Sequence, residues 1–217
     1  FHFLSGCGVG FKFLQAYSMV NKLPFEDLQE YLDLLAVSIA SDIVPLIDEN
    51  RILAYYGIIK LNKKPRVGLK AIITAAGIED KPITVDDIVF KIGPRINAAG
   101  RIESGKQAVE LLISEKDDEA FLHCEKISSF NQTRRNIDKI ITEEALKETL
   151  SNNDRYKYST VLFNQDWHKG VVGIVASRLI ESFYRPTIIL TESNGFATGS
   201  ARSLSSSLAA RRSERTE

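Results

Sequence analysis

Leu28, Leu32, Leu35 and Ile39 recur three or four positions apart behind the acidic pair Glu26 and Asp27, a spacing that predicts a helix over 24–41. A second helix is predicted over 8–23, and shorter ones over 49–61 and 69–76, separated by the basic turn 62–66 and closed by Gly77. Thr84-Val85-Asp86-Asp87 reads as a capped helix start that leads through 88–91 into 94–101, and 105–113 follows as one more helix. From 117 to 150 the chain has neither Pro nor Gly. There Ala120, Cys124, Ile127, Asn131, Arg134, Ile137, Ile141 and Ala145 trace a mostly apolar stripe. One helix of that length spans roughly 50 Å, more than the core of a small domain needs, and is expected to connect two lobes. After a polar break at 151–154 the pattern changes to strand over 159–163, helix over 171–183, and strands over 186–190 and 196–202. The expected class is α/β, helical first and mixed afterwards. Past Ser203 the chain turns rich in Ser, Ala and Arg, and reads as disordered or out of context.

Composition changes this picture only a little. A chain of 217 residues, 44 % hydrophobic, can bury a real core and fill one domain or two small ones. Lys plus Arg and Asp plus Glu both number 28, so nucleic-acid binding must come from local clusters, not from a global field. Cys7 and Cys124 lack metal-site spacing and are expected to be free thiols in a reducing cytosol. No apolar run approaches a membrane span and no leader pattern opens the chain, so a cytoplasmic protein without membrane attachment is expected. The start at Phe1, apolar and without Met, reads as a fragment of a longer polypeptide.

The chemistry concentrates in a few strings. Pro94-Arg95-Ile96-Asn97-Ala98-Ala99-Gly100-Arg101 sets two arginines and an asparagine among small residues that leave room for a close ligand. Guanidinium forks suit phosphate, and the string reads as an anion site, neither core nor scaffold. The alternative is a tight loop with surface ion pairs, which contribute only about 0–1 kcal/mol each. Asp42 stands in the apolar run Ala40-Ser41-Asp42-Ile43-Val44-Pro45-Leu46, where a carboxylate needs a partner or a metal unless it merely ends a helix. From Trp167-His168-Lys169-Gly170 onward a polar loop opens a glycine-containing helix, whose free amides favour an anion. Trp167 could stack on a base or cover the core, and His168 could donate to a phosphate or cap the loop. Gly199-Ser200-Ala201-Arg202-Ser203 can cradle a terminal phosphate. His2, His123 and His168 form no paired-His pattern, so a self-contained metal site is not expected.

Together with Leu4-Ser5-Gly6-Cys7-Gly8-Val9-Gly10-Phe11-Lys12, these strings resemble, in order and spacing over 4–203, the bacterial RecJ single-strand-specific exonucleases of the DHH phosphoesterase superfamily. The resemblance implies the C-terminal helical part of a DHH catalytic lobe at 1–115 and a long connector helix at 116–151. It further implies part of an α/β DHH-associated lobe at 152–203 and a divergent tail at 204–217. It implies metal-dependent 5′-to-3′ hydrolysis of single-stranded DNA in repair and recombination, with two Mn²⁺ or Mg²⁺ ions, and a helicase and a single-strand-binding protein as possible partners. By position, Asp42 would be a metal ligand, and Arg95, Asn97 and Arg101 would hold phosphates near the scissile bond. His168 would face that site, and Gly199, Ser200 and Arg202 would receive the 5′-phosphate. The family's remaining metal ligands would precede Phe1, so this chain is expected to bind DNA weakly without cutting it. Rival expectations are a sister phosphodiesterase acting on oligoribonucleotides, cyclic dinucleotides or pyrophosphate, and a non-catalytic DNA-binding relative.

Overall fold

The computed structural model describes residues 1–42, 44–152 and 156–204, so the tail beyond 204 and part of the polar break at 151–154 lie outside the described residues. The chain forms two compact units, Phe1–Asn131 and Gln132 onward. The mixed α/β class expected from the pattern is what the chain adopts.

The described part of the first unit is helical. It contains α1 (Gly6–Asn21), α2 (Glu26–Gln29), α3 (Leu32–Ser41), α4 (Asp48–Lys63), α5 (Val67–Ala75), α6 (Val85–Asp87), α7 (Gly93–Ile102) and α8 (Lys106–Ile113). Its core joins α3, α5 and α8 through Val37, Leu69, Ile72 and Leu111, while Ala120, Cys124 and Ile127 come from the start of α9 (Asp117–Ser151). Leu35 belongs to a smaller cluster with Phe11 and Leu28. The helix predicted over 24–41 is interrupted at Glu30–Tyr31 for a visible reason. Arg66 Nη2 donates to the Glu30 carbonyl at 2.8 Å, and the Leu34 amide donates to Asp33 Oδ1 at 2.8 Å. Both halves of the bond that would carry the helix through are thus taken elsewhere. Asp33, fully buried, also receives Arg66 Nε, Nη2 and backbone N–H at 2.8–3.1 Å.

Thr84 and Asp87 form a reciprocal capping box at the start of α6, as the Thr-x-x-Asp spacing predicts. Lys81 and Lys91 both reach Asp87 at 2.9 Å; these two ammonium groups first, and then the Thr84 donors, hold its carboxyl far below the usual carboxylate range. A depressed carboxyl stabilises the fold above its unfolded-state value of about 3.9 and loses that contribution as pH falls further. Urea unfolding of the chain between pH 7 and pH 3 is expected to show this loss below about pH 4. Asp87→Asn should remove that pH dependence and cost roughly 0.5–2 kcal/mol at neutral pH, as loss of a helix cap does. Equal acid sensitivity in parent and variant would refute the assignment.

In the second unit, β1 (Thr160–Phe163), α10 (Val172–Phe183), β2 (Thr187–Ser193) and β3 (Phe196–Arg202) form a three-stranded sheet in the order β1-β2-β3. β1 and β2 are parallel with α10 as the crossover, and β2 turns back into antiparallel β3 at Asn194-Gly195, with φ of 56° and 78°. Two successive positive φ values are what an Asn-Gly hairpin supplies. Ile141 and Ala145 of α9 pack with Leu162, Val175, Leu179 and Ile189 in its core. Trp167 is in that core too, its Nε1–H donating to Glu144 at 2.8 Å, so its ring covers the interior and is not an exposed stacking platform. Among the described residues no helix is long and apolar enough to cross a membrane.

Candidate nucleic-acid interface

In the first unit, helical periodicity sorts the residues singled out in the sequence. The 94–101 string is neither an extended loop nor free of core: it is α7, and Ala98 and Ala99 are fully buried. Small residues here let α7 sit close to its neighbours. A Cβ on Gly93 would come 2.5 Å from Ser41 Oγ, so the start of α7 lies against the end of α3. A π-helical stretch, Ile88–Ile92, leads into it, a widening often found where a helix serves a site. Asn97, Gly100 and Arg101 are exposed, and their i, i+3 and i+4 spacing puts them on one side of the helix. Arg95 is turned well away from that side. Its Nη1 donates to the Lys91 carbonyl at 2.6 Å and its Nη2 to that of Ala75 at 3.4 Å. The string therefore divides into an outward pair and an arginine bonded to backbone.

Asp42 is not a buried charge; it is the exposed C-cap residue of α3. Its Oδ2 lies 3.2 Å from Ser38 Oγ, which lies 3.0 Å from Ser5 Oγ, the N-cap acceptor for the Gly8 amide. A carboxylate only accepts, so the run is directional: Gly8 N–H to Ser5, Ser5 O–H to Ser38, Ser38 O–H to Asp42. This ties the Ser5-Gly6-Cys7-Gly8 segment to the end of α3. Burial raises the Cys7 thiol, opposed by Arg66 and reinforced by Asp42 and Asp33. Both cysteines are free thiols, as expected. Among the described residues no group of three His, Cys, Asp or Glu, with or without Asp42, could hold a metal ion.

The second unit draws two motifs into one place. Along β3 the side chains alternate, so Ser200 and Arg202 share the face toward α10 and Gly199 takes the opposite one. A Cβ on Gly173, in the first turn of α10, would meet Ser200 Oγ at 3.2 Å and Arg202 Nη2 at 3.4 Å. Arg202 Nε donates to Ser177 Oγ at 3.3 Å and Nη1 to the Ala201 carbonyl at 3.0 Å, folding the guanidinium over that turn. The amides of Val171, Val172 and Ile174 bond to carbonyls, whereas that of Gly173 meets no protein acceptor among the described residues. A helix start, a hydroxyl and a guanidinium thus come together at the first turn of α10, packed closely against Gly173. Gly199 has another reason to be glycine: a Cβ there would run into the Ile189 carbonyl of β2. His168 Nδ1 accepts the Gly170 amide at 3.1 Å, which leaves Nε2 as the protonated nitrogen of the neutral ring and a donor. Asp33 and Asp138 are buried carboxylates that the motifs above do not include. The pattern that marks Asp42, a carboxylate in an apolar run, also occurs at Leu32-Asp33-Leu34-Leu35.

Taken unit by unit, this is an α/β segment with phosphate-type donors on α7 and at the α10 turn. No family model matches the chain. It is 39 % identical over 203 residues, 93 % of its length, to the single-stranded-DNA-specific exonuclease RecJ of Bacillus subtilis, and 33 % identical over 215 residues to that of Escherichia coli. The crystal structure of RecJ with Mg²⁺ from Thermus thermophilus matches 96 % of the chain at 31 % identity and a TM-score of 0.79. An exonuclease RecJ bound to manganese matches 92 % at 31 % identity and a TM-score of 0.78. Over nearly its whole length the chain is thus similar to RecJ exonucleases. It spans 25 % of the Bacillus protein and 37 % of the Escherichia one.

Proposed function

We propose that this chain is the strand-holding part of a metal-dependent 5′-to-3′ single-stranded-DNA exonuclease, acting in the cytoplasm in DNA repair and recombination. The observation that carries the reading is the convergence of Ser200 and Arg202 on the Gly173 turn at the start of α10, a receptor suited to a terminal phosphate. Asn97 and Arg101 of α7 contact backbone phosphates of the strand, and His168 donates through Nε2. Asp42 serves as one ligand of a divalent-metal centre whose other ligands lie in the longer protein, and the similarity to RecJ structures with Mg²⁺ and with manganese supports the presence of such a centre. When bound, two such cations activate water and stabilise the attacking and leaving oxygens. The 217-residue chain itself binds and orients DNA without hydrolysing it. A helicase and a single-strand-binding protein are the proposed partners of the whole enzyme.

Incubation of the purified chain with 5′-phosphorylated oligo(dT) and Mn²⁺ is expected to give binding and no mononucleotide release. Steady release would contradict the assignment of the cutting machinery to other segments, and absence of binding would remove the function altogether. Within α7, Arg101→Ala is expected to flatten the slope of log affinity against log salt by about 0.7, one phosphate's share on a single strand. Arg95→Ala is expected to lower the melting temperature instead, since its donors bond to carbonyls. The opposite pattern would return the two arginines to one shared role.

A further inference from the structure

We propose that Ser177 is the positioning residue of the terminal-phosphate pocket: it does not touch the phosphate but aims the Arg202 guanidinium at it. This rests on the reading of Ser200 and Arg202 as that pocket. Ser177 lies one turn beyond Gly173 on α10, and a spacing of four puts the two on the same side of the helix. That side meets β3. A Cβ on Gly173 would come within 3.2 Å of Ser200 Oγ and 3.4 Å of Arg202 Nη2, so the glycine leaves the space that these two side chains occupy. Ser177 supplies the contact that holds the second of them there.

The bonds run in one direction. Ser177 O–H donates to the Gly173 carbonyl at 3.1 Å, the back-bond of a helical serine to the residue four before it. With its single proton committed, the Ser177 oxygen faces β3 as an acceptor, and Arg202 Nε donates to it at 3.3 Å. Arg202 Nη1 donates to the Ala201 carbonyl at 3.0 Å. A guanidinium is planar, so bonds at two of its nitrogens fix both its place and its plane. Nη2, beside Gly173 and Ser200, is then the nitrogen turned toward the pocket. Arg202 is exposed on its strand, and an exposed arginine held by nothing must be ordered by the arriving ligand, which weakens binding. Ser177 provides that order beforehand. Its neutrality matters as well. A carboxylate at position 177 would grip the guanidinium more strongly but would cancel the charge that a phosphate needs, whereas a hydroxyl and a carbonyl orient Arg202 and leave its charge available.

The test uses the 217-residue chain and two fluorescent oligo(dT) probes, one with a 5′-phosphate and one with a 5′-hydroxyl. Affinity is read by anisotropy, folding is checked by circular dichroism, and the ratio of the two affinities is the selectivity. Ser177→Ala is expected to lower that ratio about threefold, near the low end for one neutral hydrogen bond, through the 5′-phosphorylated probe. Ser177→Thr keeps the hydroxyl and should restore the parental ratio. In an Arg202→Ala background, Ser177→Ala should change the ratio no further, because the group that it aims is gone. An unchanged ratio in Ser177→Ala, while Arg202→Ala still lowers it, would overturn the positioning role and leave the pocket standing. A loss of the same size with and without Arg202 would also overturn it, since Ser177 would then act on the phosphate or on the helix by itself. A parent chain that does not distinguish the two ends would remove the pocket and the role of Ser177 together.

Discussion

Asp33→Ala is expected to destabilise the chain by about 3–5 kcal/mol, the range found when one partner of a buried ion pair is deleted. Asp33 has no solvent exposure, and its two oxygens receive the Arg66 guanidinium, the Arg66 amide and the Leu34 amide. Removing the carboxylate leaves a guanidinium only 21 % exposed beside an apolar helix and frees the amides that it satisfied. It also dissolves the device that separates α2 from α3. Urea denaturation followed by far-ultraviolet dichroism measures the loss. The double variant Asp33→Leu with Arg66→Met should recover much of it, because an apolar pair of similar volume leaves no charge stranded. A single-variant loss under 1 kcal/mol would mean that the pair is screened by water and carries no structural burden.

Arg202→Ala is expected to lower affinity for 5′-phosphorylated single strands about tenfold and to leave 5′-hydroxyl strands within twofold. The low end of the 1.5–3 kcal/mol for a bond to a charged group is taken, since Arg202 is exposed and solvent screens it. Ser200→Ala should act in the same direction and more weakly, as loss of one neutral donor. Competition between the two oligonucleotides on one protein sample gives the ratio directly. Equal losses on both ends would strip the pocket of its selectivity for a terminal phosphate and make Arg202 a general backbone contact.

Most elements could be read from periodicity, because a helix or strand that packs on one side must repeat its apolar residues every 3.6 or every two positions. Residues 117–151 are a case where the spacing sufficed. The interruption at Glu30–Tyr31 could not be read, since it depends on Arg66, distant in sequence. The 94–101 string misled in another way. Proline at the first turn and small residues after it are compatible with a helix start, and Ala98 and Ala99 are buried for close packing, not bared for a ligand. For Asp42 the sequence leaves two readings open, a carboxylate that needs a partner or a metal and one that ends a helix, and the end of α3 turns that position outward as its C-cap. The meeting of Ser200 and Arg202 with Gly173 was half legible. Strand alternation put the two side chains on one face, but only the crossover through α10 decided what that face would meet.

Trp167 is the sole tryptophan of the 217 residues, and it sits beside His168 with its indole N–H on Glu144. Its emission is therefore a built-in reporter of the second unit, blind to the first. Dichroism senses both, so the two signals together tell which half of the chain a substitution has melted. Because Thr191 Oγ1 donates to the Trp167 carbonyl and the following loop feeds α10, the same fluorophore is placed to register an oligonucleotide arriving at the helix start, with no label attached.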